Sequence, residues 1–76
     1  MKVLYFAHLK EITRTDSEDL NFTNISQVLI HLKNKYPTLI LDNCLLSLNS
    51  NIIPKDHDGI LSDDDELVFI PPVSGG

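Results

Sequence analysis

The residues most able to carry chemistry in this sequence are its last two, Gly75 and Gly76. Only three glycines occur among 76 residues, and two of them are adjacent here. A glycine backbone has no Cβ, so a narrow channel in another protein can close around it. We expect the reactive group to be the Gly76 carboxylate. Because a carboxylate is a poor electrophile, it must first be activated, for example as an acyl-adenylate, before sulfur or an amine can replace the leaving group. A chain end is normally the least ordered part of a domain, so an end without a role is the alternative.

Two prolines separate these glycines from the rest of the chain. Pro71 and Pro72 follow an apolar run at residues 67–70. Proline has no amide hydrogen and holds φ near about −65°, so the pair ends strand pairing. We therefore expect residues 71–76 to form an extended tail that leaves the sheet. This organisation predicts a carrier, in which the domain supplies recognition and other proteins supply catalysis.

No other set of residues indicates catalysis or metal binding. The three histidines lack the spacing of metal ligands, and Cys44 is the only cysteine. Nothing near Cys44 indicates an activated thiol, so we expect a small buried residue at a strand edge. The acidic stretch at residues 63–66 follows Gly59, but an EF-hand with Gly59 at its sixth position would begin at Pro54, which is no ligand. We predict no metal site, no bound cofactor and no enzymatic activity in the chain itself.

Length and charge narrow the classes of function. A chain of 76 residues forms one domain and leaves little room for a ligand cleft, which usually needs roughly 300–1,000 Å³. The net charge is −5 with only six Lys and Arg residues, which argues against a nucleic-acid partner. No apolar run is long enough to span a membrane, and the first one lacks a signal-peptide cleavage site. We expect a cytoplasmic protein with no membrane partner.

The hydrophobic pattern predicts a single α+β domain over residues 1–76. Its main helix is expected at residues 25–36, where Asn24 caps the start, Gln27 completes a capping box and Pro37 ends it. A short helical turn is expected within residues 8–14. The strands are expected at residues 2–7, 19–22, 45–48, 52–53 and 67–70, which gives the order β-β-α-β-β-β.

One helix can cover only one face of the sheet, so the other face is expected to be open. With the last strand parallel to the first, the arrangement is the β-grasp, the architecture of ubiquitin. Phe6 then lies on the open face with alternate residues of the last strand, either Val68 and Ile70 or Leu67 and Phe69. We favour Val68 and Ile70, which predicts an exposed apolar surface for a partner.

The whole sequence resembles a known family, the small sulfur-carrier subunit of molybdopterin synthase. Residues 3–7, followed by Leu9, Lys10 and Glu11, are similar to the opening strand and turn of that family. Residues 65–76, which read DELVFIPPVSGG, are similar to its closing signature. All ubiquitin-like carriers share Gly-Gly, whereas the ending Pro-Pro-Val-Ser-Gly-Gly is typical of a much smaller group of proteins. The chain has Lys10 where the family usually has Arg, and Asp64 where it usually has Gly; neither departure touches the tail.

The resemblance implies a reaction cycle and its partners. An ATP-dependent activating enzyme adenylates Gly76, and a sulfur-transfer system converts it to a thiocarboxylate. The tail then enters the large synthase subunit, whose active site converts precursor Z (cyclic pyranopterin monophosphate) to the molybdopterin dithiolene. The family assembles as a heterotetramer, with a dimer of large subunits and one carrier at each end.

The resemblance also implies roles for individual residues. Gly76 bears the sulfur, and Gly75 is its flexible neighbour. The arm inserted into the partner comprises Pro71, Pro72, Val73 and Ser74. The candidates for the docking face are Phe6, Val68 and Ile70.

Three alternatives remain open from the sequence. The first is a sulfur carrier for thiamine thiazole synthesis, which shares the fold and Gly-Gly but lacks the Pro-Pro-Val pattern. The second is a ubiquitin-like modifier that is joined to target lysines. The third is a β-grasp binding module whose tail has no role.

Overall fold

The structure, a computed structural model, describes residues 1–72 and contains a five-stranded mixed sheet. The strand order is β2-β1-β5-β3-β4, in which β1 and β5 are parallel and the other neighbouring strands are antiparallel. The predicted α+β, β-grasp architecture is therefore confirmed. The elements in chain order are β1 (Lys2–Tyr5), α1 (His8–Thr13), β2 (Ser17–Asp19), α2 (Ile25–Lys35), β3 (Leu45–Leu48), β4 (Asn51–Ile53) and β5 (Glu66–Ile70).

The main helix, α2, forms as its sequence predicts. The Asn24 side chain accepts a hydrogen bond of 2.9 Å from the Gln27 amide, and the Gln27 side chain accepts one of 3.1 Å from the Thr23 amide. The first bond satisfies an amide that the first helical turn leaves without a partner, and the second ties the residue before the cap to the helix. The helix stops one residue earlier than expected, with Tyr36 as its C-cap before Pro37. It buries an apolar stripe against the sheet, formed by Ile25, Val28 and Leu32.

The centre of the sheet is the parallel pair β1 and β5. Val3 lies opposite Leu67, and Tyr5 lies opposite Phe69. All four side chains are fully buried under α2. Because side chains alternate along a strand, Val68 and Ile70 point to the opposite face. The predicted orientation of the last strand is therefore confirmed.

The first strand and the turn after it differ from the prediction. β1 ends at Tyr5, two residues early, because Ala7 has a φ of 55° that turns the chain into α1. The short helical turn expected there is a six-residue helix, so the chain carries one helical element more than the predicted order. Leu9 packs into the core, and Ile12 packs against its margin.

The second strand was predicted wrongly at residues 19–22; it is Ser17–Asp19. The pairing continues on both sides, because the Tyr5 amide donates to the Asp16 carbonyl and the Leu20 amide donates to the Met1 carbonyl, each at 2.9 Å. Residues 16–18 include two acidic side chains, and charged side chains seldom lie on a helix-covered face. Glu18 does lie there, since hydrogen bonds satisfy its carboxylate.

A tight turn joins β3 to β4 and also fixes the start of β5. Asn49 and Ser50 both have positive φ, 51° and 72°, as in the two-residue turns that suit twisted hairpins. The Asn49 side chain donates to the Asp65 carboxylate and accepts from the Glu66 amide, each at 2.9 Å. No helix within residues 1–72 is long and apolar enough to cross a membrane.

Candidate functional site

The two central strands end together at one edge of the sheet, and this edge is the root of the C-terminal segment. Tyr5 and Phe69 form the last pair of the parallel ladder, and Phe6 and Ile70 follow them. Pro71 is then half-buried and Pro72 is exposed. The chain therefore leaves the sheet from a strand that has a neighbour on each side. A central strand holds its ends more firmly than an edge strand does.

The predictions for Val73, Ser74, Gly75 and Gly76 fall on residues outside those that the structure describes. Their roles as inserted arm and sulfur bearer stay predictions.

Aromatic rings in the core pack against one another at the root of the tail. The Tyr5 and Phe69 rings stack, with centroids 6.4 Å apart and planes 9° from parallel. The Tyr36 ring meets Tyr5 edge-on, with centroids 6.5 Å apart and planes at 79°. Such pairs add about 0.5–1.5 kcal/mol beyond the burial of their area. The last buried residue before the tail is thus locked between two strands.

A hydrogen-bonded cluster around Glu18 supports this aromatic group at the sheet edge. The Tyr5 hydroxyl donates to Glu18 Oε1 at 3.2 Å, and the Tyr36 hydroxyl donates to the same oxygen. Lys35 Nζ donates to Glu18 Oε2 at 2.7 Å. One carboxylate therefore joins β2, β1 and the C-terminal end of α2.

The cluster shifts the pKa of each of its members. Burial raises the pKa of the Glu18 carboxyl, but the hydrogen bonds from Lys35 and Tyr36 outweigh it, so the net pKa is lowered. Burial, followed by the adjacent carboxylate, raises the pKa of Tyr5 well above its usual range. The pKa of Tyr36 is raised for the same two reasons. The folded state thus favours a charged Glu18 carboxylate between neutral tyrosine hydroxyls. This arrangement stabilises the fold and does not activate a nucleophile.

The face of the sheet opposite α2 is apolar around the tail root. Leu4 pairs with Val68, and Val68 lies opposite Ser47 in β3, which in turn pairs with Ile52. Nearer the tail, Ile70 pairs with Leu45. The open face comprises these apolar residues and the one that follows β1, namely Leu4, Phe6, Leu45, Ile52, Val68 and Ile70.

Strand pairing places Val68 and Ile70 on the open face, and extending the alternation of β1 by one residue assigns Phe6 to it; their docking role stays a prediction. Phe6 is 50% exposed, and Val68 and Ile70 are half-buried. The structure also adds Leu45 and Ile52, which are 56% and 61% exposed and were not assigned to this face from the sequence. The alternation within β3 is the signal that could have found Leu45. Contiguous apolar surface on so small a domain indicates a protein partner.

Charge replaces apolar surface at the other end of the same face. Lys2 lies between Asp19 of β2 and Glu66 of β5 in the ladder. The face is therefore apolar beside the tail root and charged at the opposite end. A partner that covers the apolar half of the open face therefore lies close to the root of the tail.

The other features considered from the sequence are the thiol of Cys44 and a metal site. Cys44 is buried just before β3, as predicted, and burial raises the pKa of its thiol while nearby Lys55 lowers it less. A thiol held protonated is a poor nucleophile. Among residues 1–72 no cluster of three or more His, Cys, Asp or Glu side chains could hold a metal ion.

The mixed sheet, the main helix α2 across one of its faces and a C-terminal segment that leaves the central strand define a ubiquitin-like β-grasp protein. The family model described as the ThiS family matches residues 3–76, and the chain belongs to that family.

Relatives of known name cover the chain almost completely. A molybdopterin synthase sulfur carrier subunit of Dictyostelium discoideum is 36% identical, over 99% of this chain and 94% of the relative. The protein of the same name from Escherichia coli (strain K12) is 32% identical, over 100% and 99%. The solution structure of the small archaeal modifier protein 1 from Methanosarcina acetivorans superposes with a TM-score of 0.79 at 30% identity, covering 99% of this chain and 94% of that one.

Proposed function

We propose that this protein is the sulfur carrier of molybdenum cofactor synthesis. The observation that carries the proposal is its similarity, end to end, to two proteins named molybdopterin synthase sulfur carrier subunit. The geometry supports it, because an apolar docking surface adjoins the point where the tail leaves the sheet. Within residues 1–72 the chain offers no catalytic constellation that would suggest an enzyme acting alone.

The chemistry that we propose takes place on the Gly76 carboxylate. An activating enzyme supplies ATP; a carboxylate oxygen attacks the α-phosphate, and pyrophosphate leaves. The acyl-adenylate is then attacked by a sulfur nucleophile, and AMP leaves with the electron pair of the broken C–O bond. When this nucleophile is the terminal sulfur of a donor protein's persulfide, the product is an acyl disulfide. A second thiol of the donor system then attacks the donor sulfur, forms a disulfide with it and releases Gly76 as a thiocarboxylate. Each step uses groups of other proteins, so this chain is the carried substrate and not the catalyst.

The partner that receives the sulfur is the large subunit of molybdopterin synthase. We propose that the open face docks on it through Phe6, Val68 and Ile70, together with Leu45 and Ile52. Residues 71–76 then enter its active site, where sulfur is transferred to precursor Z to give molybdopterin. In this assembly two carriers flank a dimer of large subunits, which makes a heterotetramer.

The test is a synthase assay with chains altered only at the end. Deletion of Gly76, or a one-residue extension beyond it, is expected to abolish molybdopterin formation while the fold and the binding of the large subunit are retained. The control is an extended chain whose extra residue is removed by a protease, which restores activity. Activity that survives both changes, or unfolding of the shortened chain, would contradict the proposal.

A second candidate is a ubiquitin-like protein modifier, favoured by the 30% identity to the small archaeal modifier protein. In that case the activated Gly76 is attacked by a lysine amine instead of sulfur. Isopeptide-linked adducts after expression with an activating enzyme would support it. A third role, in thiazole synthesis, is separated by the partner that co-purifies, either the large synthase subunit or a thiazole synthase.

A further inference from the structure

A second surface lies on the helix-bearing side of the sheet, between α2 and residues 37–42. It is a cavity of about 260 Å³. Leu29, Pro37 and Ile40 line its apolar wall, and the charged groups at its rim are Lys33, Lys55 and Asp42. Leu29 and Lys33 are four residues apart on α2 and therefore share one side of the helix. None of these residues belongs to the open face or to the tail.

The two lysines place positive charge at the rim of this cavity, although the chain as a whole is acidic. The chain has a net charge of −5 and six basic residues. Two of these form ion pairs, Lys10 with Asp16 and Lys35 with Glu18. Lys33 and Lys55 pair with no carboxylate in the part of the chain that the structure describes.

Among the residues that line the cavity, one carboxylate, that of Asp42, lies beside the two lysines. Lys55 Nζ donates to the backbone carbonyl of Asp42, which does not neutralise it. With two lysines against one carboxylate, the rim is locally positive on an acidic protein.

The size of the cavity restricts what it can hold. Clefts that enclose a cofactor or other small ligand usually have roughly 300–1,000 Å³, and this one is smaller. It suits a single bulky side chain presented by another protein. Ile40, which is 68% exposed beside it, extends the apolar wall outward.

We propose that this cavity docks an acidic segment of a partner protein. One apolar side chain of the segment fills the space between α2 and residues 37–42. Carboxylates that flank it pair with the ammonium groups of Lys33 and Lys55. Charge pairs at such a rim set orientation and association rate more than affinity, so the binding is expected to be salt-dependent.

The cavity lies near the root of the tail and does not overlap the open face. Ile70 pairs with Leu45 at the start of β3, and Asp42 lies three residues before Leu45. Lys55 follows the end of β4, which reaches the same edge of the sheet because β3 and β4 are antiparallel. The cavity therefore adds a second point of attachment near the tail root. A protein docked on the open face leaves it accessible.

The experiment is a titration of the full ¹⁵N-labelled chain, monitored by amide NMR shifts, with a defined probe peptide. The probe is a capped peptide with one phenylalanine between two pairs of glutamates, and its matched control has glutamines instead. We expect saturable shifts confined to residues 29–42 and 55 with the glutamate peptide, and binding that weakens as salt is added. The glutamine peptide is expected to bind at least about fivefold more weakly, since it forms no ion pairs.

Charge-reversal variants locate the effect. Lys33→Glu and Lys55→Glu are each expected to weaken binding of the glutamate peptide about fivefold, because an attractive exposed pair becomes repulsive. Lys10→Glu makes the same change of net charge on α1 and should leave the affinity within about twofold. The amide spectrum of each variant shows directly whether it is folded.

Three outcomes would overturn the proposal: shifts that map to the open face, equal binding of both peptides, or no saturable binding at millimolar peptide. The titration involves neither Gly76 nor sulfur. Its failure therefore leaves the carrier proposal standing, and a failure of sulfur transfer leaves this proposal standing.

Discussion

Tyr5 and Phe69 stack across the parallel pair β1 and β5, with ring centroids 6.4 Å apart and planes 9° from parallel. This contact joins the buried core to the root of the tail, because Ile70 and Pro71 follow Phe69 directly. The Tyr5 hydroxyl extends the connection to Glu18 on the edge strand. The position of the tail root thus depends on packing at the sheet centre.

Phe69→Leu is expected to lower the free energy of unfolding by about 1–2 kcal/mol, because a fully buried aromatic ring loses packing and leaves a cavity. Phe6→Leu makes the same chemical change at a side chain that is half exposed, and should cost less than about 0.5 kcal/mol. Urea denaturation of both variants measures the difference. Equal losses of unfolding free energy in the two variants would show that the buried Phe69 ring contributes no more stability than the exposed Phe6 ring.

The docking role of the open face is tested by two isoleucines that are equally exposed. Ile52→Ser, at 61% exposure on the open face, is expected to weaken binding of the large synthase subunit about tenfold or more. Ile30→Ser, at 62% exposure on the outer side of α2, should leave binding unchanged. Calorimetric titration gives both affinities. If the two variants bind alike, the open face is not the docking surface.

The Glu18 cluster predicts a specific loss of stability in acid. Its carboxyl has a lowered pKa in the folded chain. The stabilisation is therefore present above the unfolded pKa of about 4.3 and is lost as the pH falls through the lower native pKa. Glu18→Gln should lower the free energy of unfolding by about 1–2 kcal/mol at neutral pH. It should also flatten the acid limb of the stability curve, which is the decrease of that free energy as the pH falls.

Two features of the chain serve as controls for that experiment. Glu11→Gln changes an exposed carboxylate on α1 and should leave the acid limb intact. Hydrogen bonds from the Ser62 amide and the Asn49 side chain lower the pKa of Asp65. Asp65 therefore contributes its own part of the acid limb in every variant. An acid limb of unchanged slope in Glu18→Gln would show that the cluster does not contribute.

The hairpin turn predicts a substitution that stabilises the protein. Ser50 has a φ of 72°, which costs an L-residue about 1–2 kcal/mol and glycine almost nothing. Ser50→Gly should therefore raise the free energy of unfolding by about 0.5–1 kcal/mol after the entropy cost of glycine. Ser26→Gly, in the exposed first turn of α2, should lower it by about 0.5 kcal/mol. A decrease in both variants would contradict the turn geometry.

Local pattern was sufficient for the parts of the fold that depend on near neighbours. The cap at Asn24 and the stop at Pro37 each depend on neighbours within about one helical turn, and the sequence predicted both. The alternation in residues 67–70 limited the buried pair to two choices, and the structure confirms the favoured one, Leu67 and Phe69. These elements set both the covered face and the strand that carries the tail.

Pairing between distant strands set what the sequence did not predict. Ser17 to Asp19 form a strand because β1 offers them a ladder and because Tyr36 and Lys35 satisfy Glu18 from α2. Leu45 and Ile52 join the open face because the register of β3 and β4 against β5 places them there. The residues around Ser17–Asp19 and Ile52 do not show these positions, whereas the alternation within β3 was sufficient to indicate Leu45.

The central claim is that Gly76 carries sulfur, and intact-mass measurement of the chain after co-expression with its activating system tests it most directly. The account predicts a mass gain equal to the exchange of one oxygen for sulfur, confined to the C-terminal peptide and lost on deletion of Gly76. A chain whose C-terminal peptide keeps its unmodified mass, or is found only in isopeptide links to other proteins, would contradict it.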